Sequence, residues 1–158
     1  MDLEETVRDL APRLLRYCRG RLASLESAED IAQSALMALV ARWRAVGPPD
    51  SPVAFTFSIA RRRAWRVAFK ERLLLPISTL GFRNEPFADP TQAAEAKSEL
   101  RGLRSKLQRL SVKEREAILF VVAGELSMVD AALALGISES SLKMRLVRAR
   151  QKLKEFQE

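Results

Sequence analysis

The sequence predicts an all-α fold of two small helical domains joined by a flexible linker, the second of them a helix-turn-helix domain. Three observations carry that expectation. Apolar residues recur at three-and-four spacing in both halves of the chain, the period of helices with one buried face. Between the halves, PISTLGFRNEPFADPTQ at 76–92 contains Pro76, Pro86, Pro90, Gly81 and Asn84 and keeps no period. Within SMVDAALALGISESSLKMRL, Ala132, Gly136 and Leu142 have the spacing that folds one helix sharply onto the next. The domains are expected over 1–75 and 95–158, with the linker at 76–94.

The first helix runs from Leu3, with Val7, Leu10, Leu14, Tyr17, Cys18 and Leu22 on its apolar face. Ser27 with Asp30 resembles a capping box and is expected to open the second helix, whose Ala32, Ala35, Leu36, Leu39 and Trp43 share a face. Gly47, Pro48 and Pro49 end it near Val46. Ser51 and Pro52 supply an N-cap and a first-turn proline for a third helix through Phe55, Ile59, Ala60 and Val67 to about Leu74. Past the linker, helical pattern resumes by about Ala94 and runs to Leu110. Ser111 with Glu114 caps a helix reaching Ala123 and stopped by Gly124. Ser127 with Asp130 starts a short helix closed by Gly136, and Ser138 caps the last.

Composition narrows the function. The 158 residues, 47% of them hydrophobic, bury a core either as one domain or as two. Lys and Arg outnumber Asp and Glu by 27 to 20, a net charge of +7 that favours a polyanionic partner, nucleic acid or an anionic membrane surface. The charge is +4 over 1–75, −2 over 76–96 and +5 over 97–158, so two basic modules flank a mildly acidic tether. With no His and a single Cys, imidazole catalysis, zinc sites built on His or paired Cys, and internal disulfides are excluded. Cys18, beside Tyr17 at an apolar helical position, reads as a small core residue suited to a reducing cytoplasm. There is no glycine-rich phosphate loop, no convergent carboxylates and no metal set, so no enzyme activity, cofactor or metal is expected. MDLEET is acidic where a signal peptide would be basic, and AILFVVA at 117–123 is too short to span a bilayer; a cytoplasmic protein is the expectation.

The last helix holds the chemistry. GISESSLKMRLVRARQKLKE at 136–155 carries six Lys or Arg. On a helical wheel Leu142, Leu146, Ala149 and Leu153 form a buried stripe, while Ser140, Lys143, Met144, Val147 and Arg148 lie away from it. A recognition helix enters the major groove by its N-terminal turns, where Lys and Arg hold guanine edges or phosphates. Lys143 and Arg148 are therefore the leading candidates for base contact, joined by Ser140, Ser141, Met144 and Val147. Arg145, Arg150 and Lys152 flank the stripe and suit phosphate contact.

The stretch LQRLSVKEREAILFVVAGELSMVDAALALGISESSLKMRLVRARQKLKE closely resembles region four of bacterial sigma factors of the extracytoplasmic-function group. SAEDIAQSALMALVARW and AFTFSIARRRAWR resemble their region two, in the right order and at the right separation, over nearly the whole chain. The resemblance implies a dissociable promoter-specificity subunit with core RNA polymerase (its β′ clamp and β flap), promoter DNA and an anti-sigma factor as partners. It implies that the last helix reads the minus-thirty-five element. Arg61, Arg62, Arg63, Arg66, Lys70 and Arg72 would form the minus-ten surface, and the loop 46–52 would lie where the family captures a flipped base. Phe55, Phe57 and Trp65 are aromatics able to stack on separated bases, although residues placed as Phe55 and Trp65 are more often simply core. Asp30, Gln33, Ser34 and Met37 would face the polymerase, with Ser34 standing where the family carries an acid. Arg62 replaces the family's frequent Asn, and Trp65 and Arg66 stand where an acid is usual, which puts the preferred minus-ten sequence in question. A stand-alone helix-turn-helix regulator, or a sigma-like decoy that binds an anti-sigma protein, remains an alternative.

Overall fold

The computed structural model of the chain describes residues 1–74 and 102–156, with side chains from 1–71 and 102–156. The expected linker at 76–94, the expected helix start near Ala94 and the side chain of Arg72 lie outside the described residues. Everything described is helical or connecting: α1 (Leu3–Arg21), α2 (Leu25–Val46), α3 (Pro52–Leu74), a helical run α4 over 102–108, α5 (Val112–Ile118), a π-helical turn (Leu119–Ala123), α6 (Met128–Leu135) and α7 (Glu139–Glu155).

Local chemistry sets most boundaries. Asp2 and Glu5 close a reciprocal capping box on α1, and Ser111 and Glu114 do the same on α5, satisfying amides that have no partner inside a helix. The Ser51 hydroxyl accepts from the Ala54 amide at 3.1 Å, starting α3 at Pro52 as expected. The expected start of α2 is corrected: Ser24, extended at φ −120°, is the N-cap and takes the Ser27 amide at 3.1 Å, which places Ser27 inside the helix. The helix expected to run to Ala123 is α-helical only to Ile118, and the wider π-helical turn completes it before Gly124. Gly136 adopts the left-handed conformation at φ 67° and ψ 34°, which a side chain disfavours, and so allows α6 to turn into α7.

In the first half α2 packs against both α1 and α3; in the second, α7 packs across α5 and α6. Leu10, Leu14, Ala28, Ala35, Leu39 and Ala60 fill one cluster, and Ala117, Ala131, Leu142, Leu146 and Ala149 fill the other. The two clusters are continuous. Phe120 of the π-helical turn lies 4.8 Å from the ring of Tyr17 and 5.5 Å from that of Phe57, all three fully buried. The first half thus closes onto the second, through α3 against α6 and α1 against the π-helical turn.

Candidate nucleic-acid interface

The α7 surface is built from its buried side outward. Leu142, Leu146 and Ala149 are buried and Leu153 packs at the margin, the stripe that the spacing predicts. Ser138 caps the helix by accepting the Ser141 amide at 3.1 Å, and Ile137 donates its amide to Ala132 at 3.0 Å across the turn. These contacts fix the direction of α7 against α6. Ser140, Ser141, Lys143, Met144, Val147, Arg148 and Arg150 are exposed together on the outer face, and Arg145 is half-buried at its edge. Lys152 departs from the expected phosphate role: its ammonium donates to the Glu114 carboxylate at 2.7 Å and ties α7 to α5. Burial pushes the Glu114 carboxyl upward, but the Lys152 ammonium and the Ser111 hydroxyl and amide outweigh it and hold the group below its ordinary value.

The α3 surface is divided. Arg62, Arg66 and Lys70 are exposed and Arg63 is half-buried. Arg61 turns instead toward the second half, its Nε donating to Glu116 at 2.7 Å, and the Trp65 indole donates to the other oxygen of the same carboxylate at 2.5 Å. Arg21 of α1 approaches that carboxylate at 3.7 Å. Phe57 is fully buried in the aromatic cluster, so in this arrangement it is core rather than a stacking surface; Trp65 is 43% exposed and Phe55 is partly buried. The loop 46–52 is also engaged with the second half, because the Ser51 hydroxyl donates to Asp130 at 2.8 Å.

On α2, Asp30, Gln33 and Met37 form an exposed face and Ser34 is half-buried beside them. Cys18 is a buried free thiol whose pKa burial pushes up to about 12, in keeping with a core role. Among the described residues no helix is long and apolar enough to cross a membrane, and no cluster of His, Cys, Asp and Glu is placed to hold a metal.

Sequence reasoning missed Glu116 and Gly20. A signal for Glu116 was present: it stands four residues before Phe120 on one helical face, a charge aligned with a core aromatic. Gly20 sits inside α1, where glycine costs about 1 kcal/mol of helix propensity relative to alanine. Its reason is tertiary, since a Cβ there would come within 2.4 Å of the Leu119 side chain.

Residues 6–72 match the family model described as Sigma-70 region 2, and residues 100–153 match Sigma-70, region 4. The ECF RNA polymerase sigma factor SigD of Mycobacterium tuberculosis is 31% identical over 97% of this chain and 76% of its own length. The ECF RNA polymerase sigma factor EcfG of Rhodopseudomonas palustris is 27% identical over 97% of this chain and 86% of its own. Among solved structures, the sigma factor RpoE from Bartonella quintana, crystallised with the anti-sigma factor NepR, superposes with a TM-score of 0.72 at 25% identity, covering 98% of this chain and 95% of that one. CnrH in complex with the cytosolic domain of CnrY shares the fold with a TM-score of 0.72 at 23% identity, covering 98% and 86%.

Proposed function

The chain belongs to the ECF group of RNA polymerase sigma factors, and from that premise we propose a division of labour between its two basic helices. Residues 95–158 read the upstream promoter element as duplex, with Lys143 and Arg148 on base edges, Ser140, Ser141, Met144 and Val147 beside them, and Arg145 and Arg150 on phosphates. Residues 1–75 hold the minus-ten element through Arg61, Arg62, Arg63, Arg66 and Lys70, and dock on the polymerase clamp through Asp30, Gln33, Ser34 and Met37. The segment 76–94 tethers the two. The protein works in the cytoplasm by binding core polymerase and promoter DNA, not by catalysis, and an anti-sigma protein is its expected antagonist. The observation that carries this reading is the exposed polar and basic face of α7, held outward by a buried apolar stripe in a half that matches sigma region 4.

Run-off transcription with purified core polymerase and a library of promoters tests it. The expected result is initiation at a limited promoter set that depends on the chain. Nanomolar binding of one promoter by the isolated chain, with no initiation when polymerase is added, would favour a stand-alone regulator.

A further inference from the structure

We propose that Glu116 is a latch that holds the free protein closed, sequestering part of the α3 surface while leaving the α7 surface open. The Glu116 side chain is 1% exposed, and the groups that hold its carboxylate, Arg61, Trp65 and Arg21, all belong to the first half of the chain. A buried carboxylate needs such partners, because desolvating it alone is strongly unfavourable. Closure therefore engages the Arg61 guanidinium and the N–H edge of the Trp65 indole, whose ring stays 43% exposed. It engages no group on the outer face of α7, since Lys143, Met144, Val147 and Arg148 stay exposed.

Independent features show that the closed seam is built into the sequence. Two glycines lie on opposite sides of it: a Cβ on Gly124 would lie 2.7 Å from the Phe57 ring and 2.9 Å from the Phe120 carbonyl, and one on Gly20 would lie 2.4 Å from a terminal methyl of Leu119. Arginines of α1 close off the end of the π-helical turn, Arg16 donating to the Ala123 carbonyl at 3.0 Å and Arg13 to those of Gly124 at 2.8 Å and Glu125 at 3.1 Å. The seam is also incompletely satisfied. The Arg21 Nε reaches the Glu116 carboxylate only at 3.7 Å, an ion pair too long for a hydrogen bond, so closure leaves part of its polar cost unmet. A seam with shaped apolar contacts and residual polar cost suits a contact made to be broken.

The latch rests on the reading of α3 as the minus-ten surface, and the experiment separates the two. Dyes on Ala45→Cys and Glu155→Cys, both exposed positions, report the separation of the halves, and the buried Cys18 stays unlabelled. Two variants open the seam by different means: Glu116→Gln removes the charge, and Gly124→Ala inserts a methyl group against the Phe57 ring. Binding is read with a fluorescent single-stranded oligonucleotide of mixed sequence and with a duplex of the same sequence. Wild type should be compact. Both variants should separate the dyes, and single-strand affinity should rise about tenfold, because closure scales apparent affinity by the open fraction, with duplex affinity rising less. If Glu116→Gln fails to fold by circular dichroism, Gly124→Ala decides. An open wild type, or variants that stay as compact as wild type, overturns the latch. Dye separation with no gain in single-strand binding overturns sequestration and leaves the α3 reading itself to be rejected if no form binds the strand.

Discussion

Helices α3 and α7 are both long and basic, yet one is engaged by a carboxylate of the opposite half and the other only by one of its own half. On α3, Arg61 and Trp65 are bound by a carboxylate from the opposite half. On α7 the inward tie is Lys152 to Glu114, a partner within the same half. Glu114 and Glu116 are two residues apart on α5 and both buried, but they face opposite ways. Charge alone therefore does not define a nucleic-acid surface. Whether a basic side chain is available depends on where the nearest buried carboxylate points.

Phe120→Ala should break the contrast most strongly. Truncating a fully buried Phe typically costs about 3–5 kcal/mol, and here the loss falls on the seam, so urea unfolding should change from one transition to two as the halves uncouple. A single transition at undiminished stability would mean that the aromatic cluster does not join them. Next come Lys143→Ala and Arg148→Ala, each expected to weaken upstream-element binding by about 1–3 kcal/mol and to relax preference at one or two base pairs. Arg150→Ala should instead lower affinity for all sequences alike and reduce the salt slope by about 1; a base-specific loss there would show that α7 presents a different face.

A smaller effect separates Glu114 from its neighbour. Its carboxyl is held below the ordinary value of 4.5, so its contribution to stability is complete above that value and is lost as pH falls through the lower folded value. Lys152→Met should remove about 1 kcal/mol at neutral pH, a modest figure because Lys152 is partly solvated. Melting temperatures of wild type and variant should converge below about pH 4.5. The smallest effect concerns the polymerase face: Ser34→Glu should tighten and Ser34→Lys loosen binding to core polymerase by about 0.2–1 kcal/mol, more at low salt. Equal affinities would remove Ser34 from that interface.

Within each half the helices and their caps were legible because they depend on near neighbours. Ser51 before Pro52, Ser111 with Glu114, Ser127 with Asp130, and Gly136 each act within one or two turns, and the period of α7 sufficed to divide its buried stripe from its outer face. Ser27 misled because Ser24, three residues earlier, is an equally good cap and has the extended backbone. The π-helical turn left no local mark, since its wider winding places Leu119 against Gly20 and Phe120 between Tyr17 and Phe57, which are distant in sequence. The engagement of Arg61 was hidden for the same reason: periodicity places it on a basic helix and says nothing of a carboxylate in the other half.

The aromatic cluster also has a consequence during synthesis. Tyr17 and Phe57 leave the ribosome well before Phe120, and at about 5–20 residues per second the stretch between Phe57 and Phe120 takes on the order of 3–13 s to make. For that interval the nascent first half displays the apolar surface that Phe120 later covers. A chain stalled or truncated before Phe120 keeps that surface in water, where it invites chaperones or aggregation.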